Sequence, residues 1–184
     1  MIRTSSGDFE VELFKEDYSH HSVDNINHYD FFYSSENAGY TTQIGIRTFK
    51  DDALLKSALI SAGGGGTGIH KTSFICEEDR IVLCCSDSVF CLSIPQLNLL
   101  WSTKADFATC FQIFSLGTDY IVHGELEITR LGKDGNIIWQ RGGADIFTTI
   151  NFNEDNFSVG NGFILVTDWG NRKYIFDFDG NLIE

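Results

Sequence analysis

Short runs in which apolar and polar residues alternate, each closed by a turn, recur along this chain, and four of them share one plan. Segments 46–56, 91–101, 129–139 and 174–184 each pass from an alternating run through a turn to a pair of aliphatics. The second aliphatics are Leu55, Leu100, Ile138 and Ile183, roughly 40–45 residues apart, a period typical of stacked units built from short strands. Alternation is clear near the start, where Phe9, Val11 and Leu13 interleave with Glu10 and Glu12, the pattern of a strand with one wet face. Asp134-Gly135 and Asp179-Gly180 sit between such runs and predict tight hairpins, because glycine accepts positive φ without steric cost. Pro95 stands at the corresponding turn of the second repeat, where its fixed φ is useful and its missing donor harmless.

The pattern predicts an all-β chain of four units, residues 1–62, 63–104, 105–143 and 144–184, each of four antiparallel strands. The expected strands are 9–14, 31–34, 42–49 and 53–60; 72–77, 81–85, 89–94 and 98–102; 108–114, 120–124, 126–131 and 136–140; and 146–152, 162–167, 173–178 and 181–184. Segment 51–61 also fits a short helix capped by Asp51, but its match to the other three hairpins favours a strand. Segment 16–30, rich in His, Asp and Asn, reads as a surface loop. The units are expected to form one small domain, a β-propeller of about four blades, closed or nearly closed. Trp101 and Trp139 occupy equivalent repeat positions and are expected to pack between neighbouring units.

Composition narrows the functional classes. A hydrophobic fraction of 42% with 14% aromatics suits a globular chain, and 18 glycines suit many tight turns. The formal net charge of −13 repels phosphates, which argues against nucleic-acid binding, and would speed encounter with a basic protein. Cys76, Cys84, Cys85, Cys91 and Cys110 are odd in number, without a C-x-x-C pair, and mostly within apolar runs. That usage points to free, buried thiols in a reducing compartment. The first residues lack the apolar core of a signal peptide, and no run approaches the ~20 apolar residues of a spanning helix. A cytoplasmic location without membrane contact is the expectation.

The segment Lys133-Asp134-Gly135-Asn136-Ile137-Ile138-Trp139, a glycine turn followed by two aliphatics and Trp, resembles the repeat of quinoprotein-type (PQQ-like) propellers. The resemblance covers most of residues 53–184. It implies four-stranded blades in which this hairpin joins the third and fourth strands. Quinoprotein enzymes are secreted and carry about eight blades around a cofactor and a metal, as the resemblance implies. With about four units here, no cofactor is expected. A looser resemblance is to bacterial immunity-type proteins.

Candidate chemistry is sparse. The run Gly63-Gly64-Gly65-Gly66-Thr67-Gly68 is not a phosphate loop, because Ile69 and His70 separate it from Lys71-Thr72. Asp177, Asp179 and Asn181 suggest part of a calcium loop, but Leu182 stands where that loop needs glycine, so a hairpin turn is the better reading. His20, His21, Asp24 and His28 could offer metal donors, yet without helical spacing or a rigid scaffold, and a solvated loop is expected. Repeat geometry gives a stronger lead. Links into the first strand and links between the second and third strands of a blade emerge on one side. The first set carries Asp8, His70-Lys71-Thr72, Asp106 with Thr109 and Asp145 with Thr148, and the second Asp87, His123, Glu125, Asp168, Trp169, Asn171 and Arg172; the binding candidates among them are His70, Asp87, Asp106, His123, Glu125, Asp145, Asp168 and Trp169. These eight residues form the expected binding face, unless the aspartates only cap turns. The leading expectation is a non-enzymatic module binding a basic protein, plausibly an inhibitor or immunity protein masking a basic toxin. The alternatives are a metal-dependent hydrolase using the carboxylates with His70 or His123, and a plain scaffold.

Overall fold

The alternating runs become sixteen strands in the computed structural model, which describes residues 1–19, 22–35, 42–148 and 156–183. The first sheet contains β1 (Ile2–Ser6), β2 (Phe9–Lys15), β3 (Phe31–Ser34), β4 (Thr42–Lys50) and β5 (Ala53–Ala62). The second contains β6 (Phe74–Cys76), β7 (Arg80–Cys85), β8 (Ser88–Ser93) and β9 (Leu99–Lys104). The third contains β10 (Cys110–Leu116), β11 (Asp119–Gly124), β12 (Glu127–Leu131) and β13 (Ile137–Gly142). The fourth contains β14 (Phe157–Val159), β15 (Phe163–Thr167) and β16 (Lys173–Asp177).

The second and third sheets are four-stranded antiparallel meanders in chain order, but the expected four-by-four plan fails at both ends. In the first sheet the order is β1-β2-β4-β5-β3. β2 and β4 pair directly, matching Leu13 with Ile46, so that both apolar alternations face the same core. The described residues between β2 and β3, 16–19 and 22–30, lie across the sheet, and β3 sits at the far edge, where it runs parallel to β5. Within segment 51–61 the chain turns at Asp51-Asp52 and is strand from Ala53 on, as its repeat pattern required, not helix. In the fourth sheet, residues 146–148 are an irregular link, and 149–152 of the expected strand 146–152 lie outside the described residues. Phe157–Val159 pairs with β15 instead. The expected last strand shrinks to one bridge, Phe176 to Leu182.

The repeated aliphatic pair has a structural cause. In β4–β5, β8–β9 and β12–β13 the register slips by one residue just after the turn, so Leu54-Leu55, Leu99-Leu100 and Ile137-Ile138 each contain a bulge. The slip re-aims the next residue toward the following sheet. Trp101 lies against the Gly135 turn of the third sheet and donates from Nε1 to Lys133 O at 3.0 Å. Trp139 repeats this on the Gly180 turn of the fourth, donating to Phe178 O at 2.9 Å. A methyl group on Gly135 or Gly180 would come within 2.5 or 2.7 Å of the indole, and both residues have positive φ, 83° and 80°. Glycine is therefore required there twice over. Lys56 holds the matching position in the first sheet, and Tyr33 from β3 substitutes for the missing Trp by donating to Leu97 O at 3.0 Å.

Three cores hold the series together: one between the first and second sheets, one between the second and third, one between the third and fourth. Among the described residues no such core joins the fourth sheet to the first. The expected closed or nearly closed propeller is thereby corrected to an open series of blade-like sheets. The reason lies in the first sheet. Its outward side carries Glu10, Glu12 and Arg47, and segment 16–30 folds over it, bringing Tyr18 and Tyr29 against Phe32. Phe14 and Tyr29 fill the space beside Gly45, and Gln43 bonds both backbone groups of Tyr18. That polar cover leaves no face for a fourth-to-first contact.

Candidate functional site

The antiparallel course of each sheet sorts its connections to two ends. Incoming links and second-to-third turns lie at one end, the loop end; first-to-second and third-to-fourth turns lie at the other, the turn end. The eight expected binding residues belong to the loop end, and burial divides them.

Asp106 is 1% exposed. One carboxylate oxygen accepts from Ala108 N and Thr109 N at 2.6 and 3.0 Å, the other from Leu126 N and Glu127 N at 2.9 and 2.8 Å. Four amides thus tie the incoming link of the third sheet to its second-to-third turn. Asp168 is fully buried and accepts from Arg172 N and Tyr174 Oη. Burial works against its charge, but those donors and the Arg172 guanidinium hold its carboxyl below the usual range. Asp87, also buried, accepts from Ser88 Oγ at 2.7 Å and pairs with Lys104 Nζ at 3.2 Å. Glu125 is half-buried and accepts from Thr109 Oγ1. Asp145, the sequence counterpart of Asp106, is exposed and, among the described residues, its carboxylate accepts from Ile146 N alone. Trp169 is 42% exposed.

His70 and His123 do come together, around a cavity of about 200 Å³ lined also by Phe111, Phe147 and Asn156. Buried His123 donates from Nε2 to Phe147 O at 2.9 Å, stacks on Phe157 at 4.4 Å, and places Nδ1 3.0 Å from the Gln112 amide, whose NH2 group must face it to donate to the neutral ring. Gln112 bonds Thr72 Oγ1, which lies 3.1 Å from His70 Nδ1, so a polar chain connects the surface histidine to the buried one. Burial pushes the His123 imidazole down to about 4, only partly offset by the Phe147 carbonyl, and lowers His70 as well. Thr72 belongs to the expected entry link, whereas Gln112 was not among the expected residues and nothing in its local sequence marks it.

The glycine run serves packing. Gly65 donates to Ala108 O and accepts from Ser86 Oγ, and a methyl group there would collide with Thr109. His20 and His21 lie outside the described residues, while Asp24 and His28 are exposed. Among the described residues no three His, Cys, Asp or Glu side chains gather as a metal set. Burial raises the thiols of Cys84, Cys85 and Cys110, which suits packing over nucleophilic chemistry.

The turn end has a different character. Asp8, expected on an incoming link, lies instead in the β1–β2 turn because β1 precedes it, and Asp8, Asp51, Asp52, Glu78, Asp79, Asp134 and Asp179 are all exposed at this end. Ser6 Oγ donates to the carbonyls of Glu77 and Glu78, which sets the first turn of the first sheet beside that of the second. Arg80 pairs with Asp79 at 3.0 Å, Arg130 with Asp179 at 3.7 Å and Lys133 with Glu77 at 3.8 Å, a smaller number of cations than carboxylates. The turn aspartates are legible in the sequence, but as turn formers.

No family model and no curated protein matches the chain. Solved structures do. BamB from Moraxella catarrhalis is 15% identical over 76% of this chain and 42% of its own, with a TM-score of 0.52. HIRA(644-1017) is 8% identical over 98% of this chain and 51% of its own, at 0.49, and the WD40 β-propeller domain of Doa1 is 15% identical over 71% and 43%, at 0.48. The chain therefore spans less than half of BamB. The likeness to BamB shows the fold alone, a propeller-like series of sheets, and does not single out the quinoprotein type.

Proposed function

We propose that the chain is a non-enzymatic binding module that captures a basic protein on its turn end, as an inhibitor or immunity protein masks a basic toxin. The contrast between the two ends carries this reading. Asp87, Asp106 and Asp168 are buried and bonded within the loops, whereas seven turn-end carboxylates stand in solvent on a chain of net charge −13. An exposed single-sign field steers an oppositely charged partner and raises its association rate more than its final affinity. It also mimics the phosphates that a basic nuclease would engage.

The test begins with a basic protein captured from cells of the same source at low salt. Neutralising Asp51, Asp52, Glu78 and Asp79 to Asn or Gln should slow its association at least tenfold and flatten the salt dependence. Asn suits Asp51 and Asp52, whose φ values are 49° and 62°. Glu125→Gln should leave the rate unchanged. A partner whose association is indifferent to the four changes refutes the reading.

A further inference from the structure

The two ends of the sheet series are finished differently. Segment 16–30 covers the outward side of the first sheet. No described residue does the same for the fourth. Ile164, Val166, Tyr174 and Phe176 point back into the core shared with the third sheet, so strand alternation turns Phe163, Leu165, Thr167, Lys173, Ile175 and Asp177 the other way. In every earlier sheet that same side packs on the next one. Register arranges the six as cross-strand pairs: Phe163 with Asp177, Leu165 with Ile175, Thr167 with Lys173. Leu165 and Ile175 occupy the positions of Ile121 and Arg130 in the third sheet. There Arg130 reaches the Asp119 carboxylate and donates to Phe178 O of the fourth sheet. Ile175 replaces that polar hook with an apolar contact surface, and Phe163 beside it is 38% exposed.

We infer that two copies of the chain pack their fourth sheets face to face about a two-fold axis. The cover on the first sheet blocks a head-to-tail stack, in which the fourth sheet of one copy would meet the first sheet of the next. The remaining contact of like with like is isologous and closes at two copies. Charge selects its direction. Lys173 lies at one end of the outward side of β16 and Asp177 at the other, with Ile175 between. An axis perpendicular to the strands sets Ile175 on its twin, Leu165 on its twin, and each Lys173 near the partner copy's Asp177. An axis along the strands would set each Lys173 over the partner copy's Thr167 and each Asp177 over its Phe163, leaving both charges without an opposite charge.

Sedimentation equilibrium over a hundredfold range of concentration tests this. The expected mass at the upper end is twice the 20.6 kDa of one chain. Leu165→Glu should return the single-chain mass with an unchanged circular dichroism spectrum. Lys173→Glu, at an exposed position outside the core, should weaken the dimer about tenfold and keeps the test valid if Leu165→Glu fails to fold. Glu10→Lys, on the outward side of the first sheet, should change nothing. A single-chain mass at every concentration, a dimer that withstands Lys173→Glu and Leu165→Glu, or one broken by Glu10→Lys overturns the inference.

Discussion

Acid should loosen the junction between the third and fourth sheets through one residue, His123. Its ring is buried, stacked on Phe157 and bonded to Phe147 O, and its pKa falls from 6.5 to about 4 because burial disfavours the imidazolium. The unfolded chain therefore binds a proton that the folded chain refuses. The stability that rests on a neutral His123 is complete above pH ~6.5, erodes as pH falls, and is lost by pH ~4. With ~1.4 kcal/mol per unit, the whole effect is about 3 kcal/mol, and roughly half of it disappears between pH 7 and 5. Few ordinary carboxylates titrate in that upper range, so the window is favourable. Urea unfolding followed by tryptophan fluorescence at pH 7 and 5 gives the loss for the parent and for His123→Gln. The variant is less stable at pH 7 but lacks this part of the pH dependence, and subtracting the two removes the contribution of every other group. Equal losses in both proteins, or an imidazole that titrates near 6.5 by NMR in the folded state, would refute the assignment.

Other expectations follow from the same contacts. Trp139→Ala removes a buried indole and its bond to Phe178 O, and should cost ~3–5 kcal/mol in chemical unfolding; a parent-like midpoint would show that the indole does not hold the fourth sheet. Asp106→Asn should cost ~1–3 kcal/mol, because its NH2 group would face two amide donors in a buried site, while Asp145→Asn should change stability by less than ~0.5 kcal/mol. Equal melting of the two variants would contradict the division between buried and exposed aspartates.

Much of the architecture was legible because it is local. Alternation located most strands, the Asp134-Gly135 turn determined the third-to-fourth hairpin of the third sheet, and the recurrence of an aliphatic pair before Trp101 and Trp139 located the contacts between sheets. Each of these is a property of a few neighbouring residues. Tertiary structure alone decided three matters. Partner choice placed β3 beyond β5, since a four-residue strand can satisfy its alternation against either neighbour and only the reach of segment 16–30 selects between them. Openness of the series depends on that same segment covering the first sheet, a long-range contact with no periodic signature. The state of each carboxylate was also undetermined: Asp106 and Asp145 sit in matching sequence contexts, yet one meets four amides and the other meets solvent. Repeated spacing specifies where a side chain starts. What it meets depends on which turns of the sheet are folded against it, and burial then sets whether its charge serves the fold or faces outward.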